Sequence, residues 1–507
     1  MRGSRQANDP LPVSFAPSNR ESAVMSSSTS ASEVDGPDRL TPPPHPARIA
    51  SIVGFLVFTE LASGIAQGWV IPLLPSFVER YGRSPADANW IVATALLSTL
   101  ICVPVLAKLG DVYGHKRIML VVVSAVVVGS VIVAVAPTFP VLLLGRALQG
   151  AISALLPLEF AIVRERAGEQ ANRAIGLLVG SLTVGASLGL LLAGLARQHL
   201  SLAATLWIPA VMMVVIVPFL VRLVPETTAR RPGGIDWAGA ALLGGGLALF
   251  LATVGNGSRW GWTEARTLAG LIGGAALLVI WVAIERRVTN PMVPLDVIWH
   301  RGQRIPLLTA FVFGAHLFGS SAPTASFLGT SPHAAGFGFG LSGTALGASL
   351  TVMGVAMTLS AAIAARLAEQ VGQSATLVGG AVISAGAYLL TVLTRHDLAW
   401  FLVWQAGLGI GSGLVAAILP AIVVTRAPQD SVGIMSGLYN TSRTAAGSVA
   451  GAVFAAVMSA MVTVLSSGQA GVAESAYVVI WSICAVLSVT VGFLALAVTR
   501  SRRAIPA

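Results

Sequence analysis

The chain has 507 residues, of which 55% are hydrophobic and only 10% are charged. Soluble domains carry about 25% charged residues, so this composition excludes an ordinary soluble globular protein. The formal net charge is +10. The basic residues lie at the ends of apolar runs and form no stripe with interleaved aromatic residues, which argues for contact with lipid headgroups and against nucleic-acid binding.

The first segment, residues 1–46, is rich in Ser, Pro and mixed charge. Such a segment cannot bury a core, and we expect a disordered cytoplasmic tail there. Fourteen apolar runs follow, each long enough to cross a bilayer as a helix. Their approximate positions are 50–75, 88–108, 118–136, 139–161, 174–196, 203–223, 236–255, 266–285, 305–328, 343–365, 374–394, 399–424, 434–463 and 474–499.

Lys and Arg are distributed unequally over the loops between these predicted spans. With the N-terminus placed inside, the cytoplasmic loops and the C-terminal tail hold eighteen of them and the outer loops hold six, leaving out the N-terminal tail. Cytoplasmic loops of membrane proteins carry an excess of Lys and Arg. The sequence therefore predicts a multi-pass protein of the inner or plasma membrane, with both termini cytoplasmic.

Two turns on the predicted cytoplasmic side have the same residue order. Ala107–His115 follows span 2 and Ala365–Gln373 follows span 10, at an offset of 258 residues. Each reads small, basic, Leu, small, acid, and then Gly three residues after the acid. The repeat predicts two parallel six-span halves, with spans 7 and 8 in a linker between them, which is a plan known from transporters. The predicted divisions are 1–46, 47–224, 225–300, 301–500 and the cytoplasmic tail 501–507.

The turn after span 2, Leu109–Arg117, is similar to the signature Gly-x-Leu-Ala-Asp-Arg-x-Gly-Arg-Arg. Through this turn the chain resembles the major facilitator superfamily, and its fourteen-span drug:proton antiporter branch in particular, over about residues 50–500. The matching residues are Asp111, Gly114, Lys116 and Arg117, while Ala107, Val112 and His115 depart from the signature. The resemblance implies an all-α membrane protein with the major facilitator fold, two six-helix bundles plus two extra linker helices.

This turn is the gating motif that the resemblance implies. Its residues here are Leu109, Gly110, Asp111, Gly114, Lys116 and Arg117, with Glu369 and Gly372 at the repeated turn. Gly114 suits a tight turn, and Asp111 at a helix end can accept hydrogen bonds from N–H groups of a helix in the other half. We predict that Asp111 latches the two halves in one access state. The alternative is a simple topogenic turn.

Spans 4 and 13 also resemble the antiporter branch, through Arg146 and through the segment Asn440–Arg443. Span 5 departs from it. The branch has Gly-Pro-x-x-Gly-Gly, whereas this chain has Gly185-Ala-Ser-Leu-Gly189-Leu. The missing Pro and Gly predict a weaker kink and looser helix packing at Gly185 and Gly189.

The first span of the branch carries an Asp where this chain has Ala66, and an acid occurs instead at Glu60. Glu60 lies about nine residues into span 1, close to the bilayer midplane, where a charge costs several kcal/mol. We predict that Glu60 binds a proton from one side and releases it to the other. The alternative is a protonated Glu that makes a packing hydrogen bond.

Two arginines and a second acid are the other ionisable groups placed at depth. Arg146 could hold a substrate anion, pair with Glu60 through water, or satisfy backbone carbonyl groups. Glu159 lies thirteen residues later, which is about 1300° of helical turn and about 140° from the same face. We therefore expect Glu159 to pair with Arg164 or Arg166.

Asn440 and Arg443 form a polar pair one turn apart, which faces a cavity or joins helices. His316 in span 9 could relay protons, although a lone His on an apolar helix is more often only hydrogen-bonded. We include Glu60, Arg146, Asn440 and Arg443 as candidate residues for proton coupling or substrate binding.

The sequence predicts a secondary active transporter and not an enzyme. It contains neither a Gly-rich phosphate-binding motif with Lys-Ser/Thr nor clustered His, Cys or carboxylate residues. We expect proton-coupled efflux (antiport) of small amphipathic organic compounds by alternating access, giving multidrug resistance. The alternative is a proton-coupled transporter or exchanger of a specific metabolite, including an anionic one. The expected partners are the substrate, protons and lipid, for a monomer with no cofactor beyond the proton gradient.

Overall fold

The computed structural model describes residues 46–167, 171–227, 236–288, 291, 295, 302–425, 432–465, 468 and 470–500. They lie within one compact unit, Pro44–Ala507. The predicted C-terminal tail and the predicted N-terminal tail, apart from Pro46, lie outside the described residues. The divisions predicted between the tails, the halves and the linker stay predictions.

The described residues contain fourteen helical segments long and apolar enough to cross a membrane, so the predicted number of spans is confirmed. The helices are Pro46–Gly68, the 3-10 turn Ile71–Leu73 and Leu74–Tyr81 in span 1; Pro85–Tyr113, span 2; His115–Val135, span 3; Phe139–Gln149, the 3-10 segment Gly150–Ala154 and Leu155–Ala167, span 4; Ala171–His199, span 5; Leu202–Leu223, span 6; Trp237–Trp260, span 7; Ala265–Glu285, span 8; Arg304–Gly319 and Ser321–Gly329, span 9; Gly343–Val371, span 10; Gln373–Thr394, span 11; Leu398–Thr425, span 12; Val432–Ala460, span 13; and Glu474–Arg500, span 14. A short helix, Pro332–Ala335, lies between spans 9 and 10.

Several spans begin where a polar side chain caps the helix. Ser84 and Asp87 form a capping box at the start of span 2, with each side chain bonded to the other's backbone N–H. Ser201 accepts from the N–H of Ala204 at the start of span 6, and Asp236 caps span 7. Such caps satisfy N–H groups that have no partner within the helix.

Span 13 ends earlier than the sequence indicated. The predicted helix 434–463 is wrong at its end, because the helix stops at Ala460 and two antiparallel strands follow, Val462–Val464 and Ala470–Val472. The first strand reads Val-Thr-Val. β-branched residues such as these favour a strand over a helix, and the pairing satisfies their backbone groups.

The two repeated turns have closely similar backbones. Gly114 has φ 107° and ψ 135°, and Gly372 has φ 91° and ψ 149°. Each N–H donates to a carbonyl four residues earlier, that of Gly110 at 2.9 Å and that of Ala368 at 3.0 Å. Both turns follow even-numbered spans and lie on one face of the bundle, which we call the Gly114 side. We call the opposite face the far side.

The four largest buried apolar clusters differ between these two faces. On the Gly114 side, the cluster around Met119 contains only residues of the first half, and the cluster around Leu419 only residues of the second. On the far side, the cluster around Trp69 includes Ala325 of the second half. The fourth cluster, otherwise from the second half, includes Ala86 of the first. Within the described part of the chain, the apolar core is therefore continuous between the halves only on the far side.

Specific contacts between the halves follow the same distribution. Asn89 of span 2 donates to the carbonyl of Gly451 in span 13 at 2.6 Å. Spans 5 and 10 meet at Gly194 and Gly347, where a Cβ on Gly347 would lie 3.0 Å from the Cα of Gly194. The described hydrogen bonds and glycine contacts between the halves lie from the middle of the bundle to the far side. The contacts described between the halves thus close the far side in this conformation.

Spans 7 and 8 lie beside the seam between the halves. Span 7 packs against spans 2, 8 and 13. Near its far-side end, Arg259 Nη1 lies 2.7 Å from Asp87 Oδ1 of span 2. The neighbouring Ser258 hydroxyl donates to the carbonyl of Ala456 in span 13 at 3.1 Å. The extra pair therefore joins both halves at the closed face.

Candidate functional site

Two acidic side chains meet inside the first half. Glu60 of span 1 is 1% exposed and Glu159 of span 4 is 0% exposed. Their carboxyl groups are direct neighbours. The expected pairing of Glu159 with Arg164 or Arg166 is wrong, because neither carboxyl oxygen of Glu159 bonds to an arginine among the described residues, and Arg166 instead contacts Glu165 at 3.6 Å.

The break in span 4 explains the different direction of Glu159. Residues Gly150–Ala154 form a 3-10 helix, which turns about 120° per residue where an α-helix turns about 100°. Over this segment the excess is about 100°, which changes the angle between Arg146 and Glu159 from about 140° to about 40°. The carboxyl consequently points into the first half toward span 1.

No other described group donates to Glu60 Oε2 or to either carboxyl oxygen of Glu159. Buried polar atoms without partners are uncommon and carry a free-energy cost. Two negative charges at this spacing repel strongly in a low-dielectric site. The arrangement therefore favours a pair that holds a proton over two free carboxylates.

Arg146 has its hydrogen bonds within the first half. Its Nε donates to the carbonyl of Ile91 in span 2 at 2.9 Å, and its Nη1 donates to Gln149 Oε1 at 2.6 Å. Gln149 in turn donates to Ser130 of span 3 at 2.9 Å. These are the contacts that a structural arginine makes, and binding of an anion or a water bridge to Glu60 stays a prediction.

Arg443 of span 13 lies among three aromatic rings. Its Cζ is 5.9 Å from the ring centroid of Phe313 and 5.3 Å from those of Phe318 and Tyr439. Its Nη1 donates to the hydroxyl of Tyr439 at 3.2 Å. We call Arg443 and these three rings the Arg443 cage. The face of an aromatic ring attracts a cation, so the cage partly compensates a charge placed deep in the bundle.

The Arg443 cage lies where the two halves begin to separate. One turn farther toward the far side, Gly447 is in contact with Phe318 and with Leu96 of the first half, since a Cβ there would lie 2.7 Å and 3.0 Å from them. On the other side of Arg443, Asn440 is partly exposed, and no hydrogen bond from its amide to another described residue is present. Asn440 and Arg443 therefore lie about one turn from the contacts that close the far side.

The motif turn is held by contacts inside the first half. Asp111 Oδ1 lies 3.2 Å from His115 Nε2, and the Asp111 side chain is 48% exposed. His115 Nδ1 lies 2.8 Å from the hydroxyl of Thr227, just beyond span 6. In a conformation open on this side, Asp111 thus has a partner within its own half. The latch to the other half stays a prediction for the opposite conformation.

The other motif residues are divided between the two turns. Leu109 packs against the first-half core, and a Cβ on Gly110 would lie 3.1 Å from the His115 ring. Glu369, the counterpart of Asp111, is exposed. A Cβ on Gly372 would meet no atom within 4 Å. The second turn is therefore similar in backbone but much less crowded.

Spans 1 and 5 pack closely through glycine. A Cβ on Gly185 would overlap the carbonyl of Leu61, and a Cβ on Gly189 would overlap that of Ile65. From the other helix, Gly64 approaches the backbone of Ala186 in the same way. The expectation of looser packing is therefore wrong. Small residues on both helices maintain the approach without the Pro of the branch signature.

Comparison with known proteins agrees with this architecture. The model of the Major Facilitator Superfamily matches residues 56–451. The chain belongs to the Major Facilitator Superfamily. It is 26% identical over 415 residues to the tetracenomycin C resistance and export protein of Streptomyces glaucescens, covering 80% of this chain and 74% of that protein. It is 28% identical over 409 residues to the cephamycin export protein CmcT of Amycolatopsis lactamdurans, covering 78% and 81%.

Among solved structures, the human organic anion transporter MFSD10 has a similar fold. The TM-score is 0.59 at 18% identity, covering 89% of this chain and 100% of that one. The chain also spans 56% of the length of two uncharacterised relatives from Mycobacterium tuberculosis. This Major Facilitator Superfamily member is a multi-pass membrane transporter and not an enzyme.

Glu226 is a contact residue of this superfamily member that the sequence did not reveal. Its carboxylate accepts hydrogen bonds from the N–H groups of Lys116 at 3.0 Å and Arg117 at 3.2 Å. It thereby occupies the N-terminus of span 3, where a negative charge is stabilised by the helix dipole. Lys116 Nζ also donates to the carbonyl of Val221 at 2.7 Å. The one sequence feature that could have indicated this contact is the position of Glu226 just after span 6, on the same side of the membrane as the start of span 3.

His316 is buried in the second half, and its ring Nδ1 has no hydrogen-bond partner among the described residues. The hydroxyls of Ser320 and Tyr388 both donate to its backbone carbonyl, at 2.7 Å and 3.1 Å. The Tyr388 ring contacts the imidazole edge-on, with centroids 5.9 Å apart. These contacts position the helix, and a proton relay through His316 stays a prediction.

Proposed function

We propose that this transporter exports small amphipathic organic compounds across the cell membrane in exchange for protons. The names of its relatives, which export tetracenomycin C and cephamycin, support a substrate of this class. The observation that carries proton coupling is the buried contact between Glu60 and Glu159. A carboxyl pair in hydrocarbon can change its charge by taking up or releasing one proton, and this is the property that coupling requires.

The closed far side gives a direction to the proposed cycle. We infer that the Gly114 side faces the cytoplasm, because Lys108, Lys116 and Arg117 lie at its helix ends. In the conformation described, a compound would then enter from the cytoplasm. Rocking of the halves would close this side and open the far side, where the compound leaves and a proton enters.

Burial of the carboxyl pair makes coupling depend on this movement. Both side chains are at most 1% exposed, so neither exchanges protons freely with the cavity in this conformation. Sealing the pair from water in this conformation limits the leak of protons through the empty transporter. Release of the proton to the cytoplasm then requires that the pair becomes exposed when a compound enters.

Replacement of Glu60 tests the coupling. We expect Glu60→Gln to abolish proton movement driven by an exported compound in inverted vesicles, because the amide cannot release a proton. Glu79→Gln is the matched control, since Glu79 lies in the same span and is exposed, and it should leave the flux intact. Normal compound-driven flux in Glu60→Gln would refute the proposal.

We also propose that the transporter acts as a monomer. Both halves and the cavity between them belong to one chain, so a second copy supplies no part of the pathway. Light scattering of the purified protein in detergent, corrected for bound detergent, should give one chain of 52.0 kDa. A mass of two chains that persists on dilution would contradict this.

A further inference from the structure

The guanidinium of Arg443 has an unused hydrogen-bonding edge. Among the described residues, its only hydrogen-bond partner is the Tyr439 hydroxyl, which accepts from Nη1. Its Nε is buried without a partner. Nε and Nη2 together form the fork that binds a carboxylate through two parallel hydrogen bonds.

The charge of Arg443 is also uncompensated. No described Asp or Glu forms an ion pair with it. Aromatic rings offset part of the cost of placing an arginine deep in a membrane, but their faces accept no hydrogen bond from the Nε–Nη2 edge of the guanidinium. Arg146, the other deep arginine, differs because its Nε and Nη1 both have acceptors in the protein.

Close packing of spans 9 and 13 positions the cage. Gly314 of span 9 lies against the backbone of Arg443, where a Cβ would come within 2.5 Å of the Arg443 Cα. This close approach places Phe313 and Phe318, on either side of Gly314 in span 9, around the guanidinium. A preorganised site loses less entropy on binding.

We propose that the Arg443 cage is the subsite that binds the anionic group of the exported compound, a carboxylate attached to an apolar body. The carboxylate would lie on the free Nε–Nη2 edge, about one turn from the contacts that close the far side. The nearby Asn440 amide would supply a further donor. This inference rests on the proposed export function, of which it specifies the substrate class.

Equilibrium binding to the purified full-length protein tests the subsite without any proton gradient. The probes are 2-naphthoate and its uncharged analogue 2-naphthamide. We expect the wild type to bind the carboxylate more tightly than the amide. Arg443→Gln should weaken carboxylate binding by about 10- to 100-fold, the loss expected for charged hydrogen bonds, and leave amide binding little changed.

Three further variants make the test specific. Arg443→Lys keeps the charge but lacks the fork, so it should recover only part of the lost affinity. Asn440→Ala should weaken carboxylate binding by about tenfold or less. Arg222→Gln removes an exposed arginine at the end of span 6 and should bind like the wild type. A thermal melt of each variant checks that it is folded.

The inference is overturned if wild type binds the two probes equally or binds neither, or if Arg443→Gln keeps the preference for the carboxylate. Full recovery in Arg443→Lys would overturn the two-bond geometry. Because binding is measured at equilibrium, a failure of Glu60 to couple protons would leave this result unaffected. Conversely, loss of the anion preference would leave proton-coupled export of neutral or cationic compounds standing.

Discussion

Single residues decide how this transporter places charge inside a membrane. An isolated carboxylate or guanidinium at depth costs several kcal/mol unless it has a partner. Arg146 has carbonyl and amide acceptors and Glu60 has Glu159. Among the described residues, Arg443 has only rings and one hydroxyl. The three groups therefore differ in how much a bound proton or ligand would stabilise them. The acid pair can gain by binding a proton, and Arg443 by binding an anion.

Glu159 should matter as much as Glu60 for coupling. We expect Glu159→Gln to reduce compound-driven proton flux strongly, because the remaining carboxyl loses the like-charge neighbour that favours proton binding. Vesicles carrying a pH-sensitive dye measure this flux. Glu264→Gln, at an exposed far-side position, should behave like the wild type. If Glu159→Gln transports with unchanged coupling, the pair has no joint role.

Gly114 and Gly372 separate the effect of backbone strain from that of a crowded side-chain position. Both have positive φ, which costs about 1–3 kcal/mol for another residue. A Cβ on Gly114 would also lie 2.6 Å from the Glu226 carboxyl carbon, whereas one on Gly372 would meet nothing within 4 Å. We expect Gly114→Ala to lower the melting temperature more than Gly372→Ala does. Equal losses would show that the Glu226 contact contributes little.

At the scale of helices, hydropathy was sufficient to predict the number of spans but not their internal breaks. Fourteen apolar runs gave fourteen helices within the described residues, since length and apolarity are what a bilayer selects. The 3-10 segment Gly150–Ala154 has no hydropathic signal, yet it reorients Glu159. The partners of Glu60 and Arg443 also depend on neighbouring helices far away in the chain, so sequence could propose these residues but not pair them.

The contact between span 7 and span 2 should stabilise the closed far side. The Asp87–Arg259 ion pair is partly exposed, so we expect a coupling energy of only about 0.5–1 kcal/mol. A double-mutant cycle with Asp87→Asn and Arg259→Gln, measured by thermal unfolding, gives this energy. Arg266→Gln is the control, because the hydrogen bond of Arg266 to a described residue, the carbonyl of Trp260, stays within its own hairpin. Additive effects of the two changes would show that the pair is not coupled.

At the scale of the whole molecule, the two bundles are joined on one face and separate on the other. Buried clusters are shared between the halves on the far side and separate on the Gly114 side. A major facilitator protein in this state offers its cavity to one compartment only. The orientation inferred from basic residues makes that compartment the cytoplasm.

Thiol labelling tests both the open face and the orientation. In a background with Cys102 and Cys484 replaced by Ser, we expect Asn440→Cys to react with an impermeant reagent in inverted vesicles and little in intact cells. Asp397→Cys, at an exposed far-side turn, should show the opposite pattern. Labelling of Asn440→Cys mainly in intact cells would mean that the far side opens in the resting protein, or that the orientation is reversed.

The attachment of spans 7 and 8 has a consequence for how the bundles move. Span 7 is bonded to span 2 through an ion pair and to span 13 through one neutral hydrogen bond. When the far side opens, span 2 and span 13 separate, and the weaker bond should break first. Spans 7 and 8 would then move together with the first bundle. Span 7 would slide along span 13, the helix that carries Arg443. The hairpin would thereby keep lipid away from one side of the substrate pathway while the halves move.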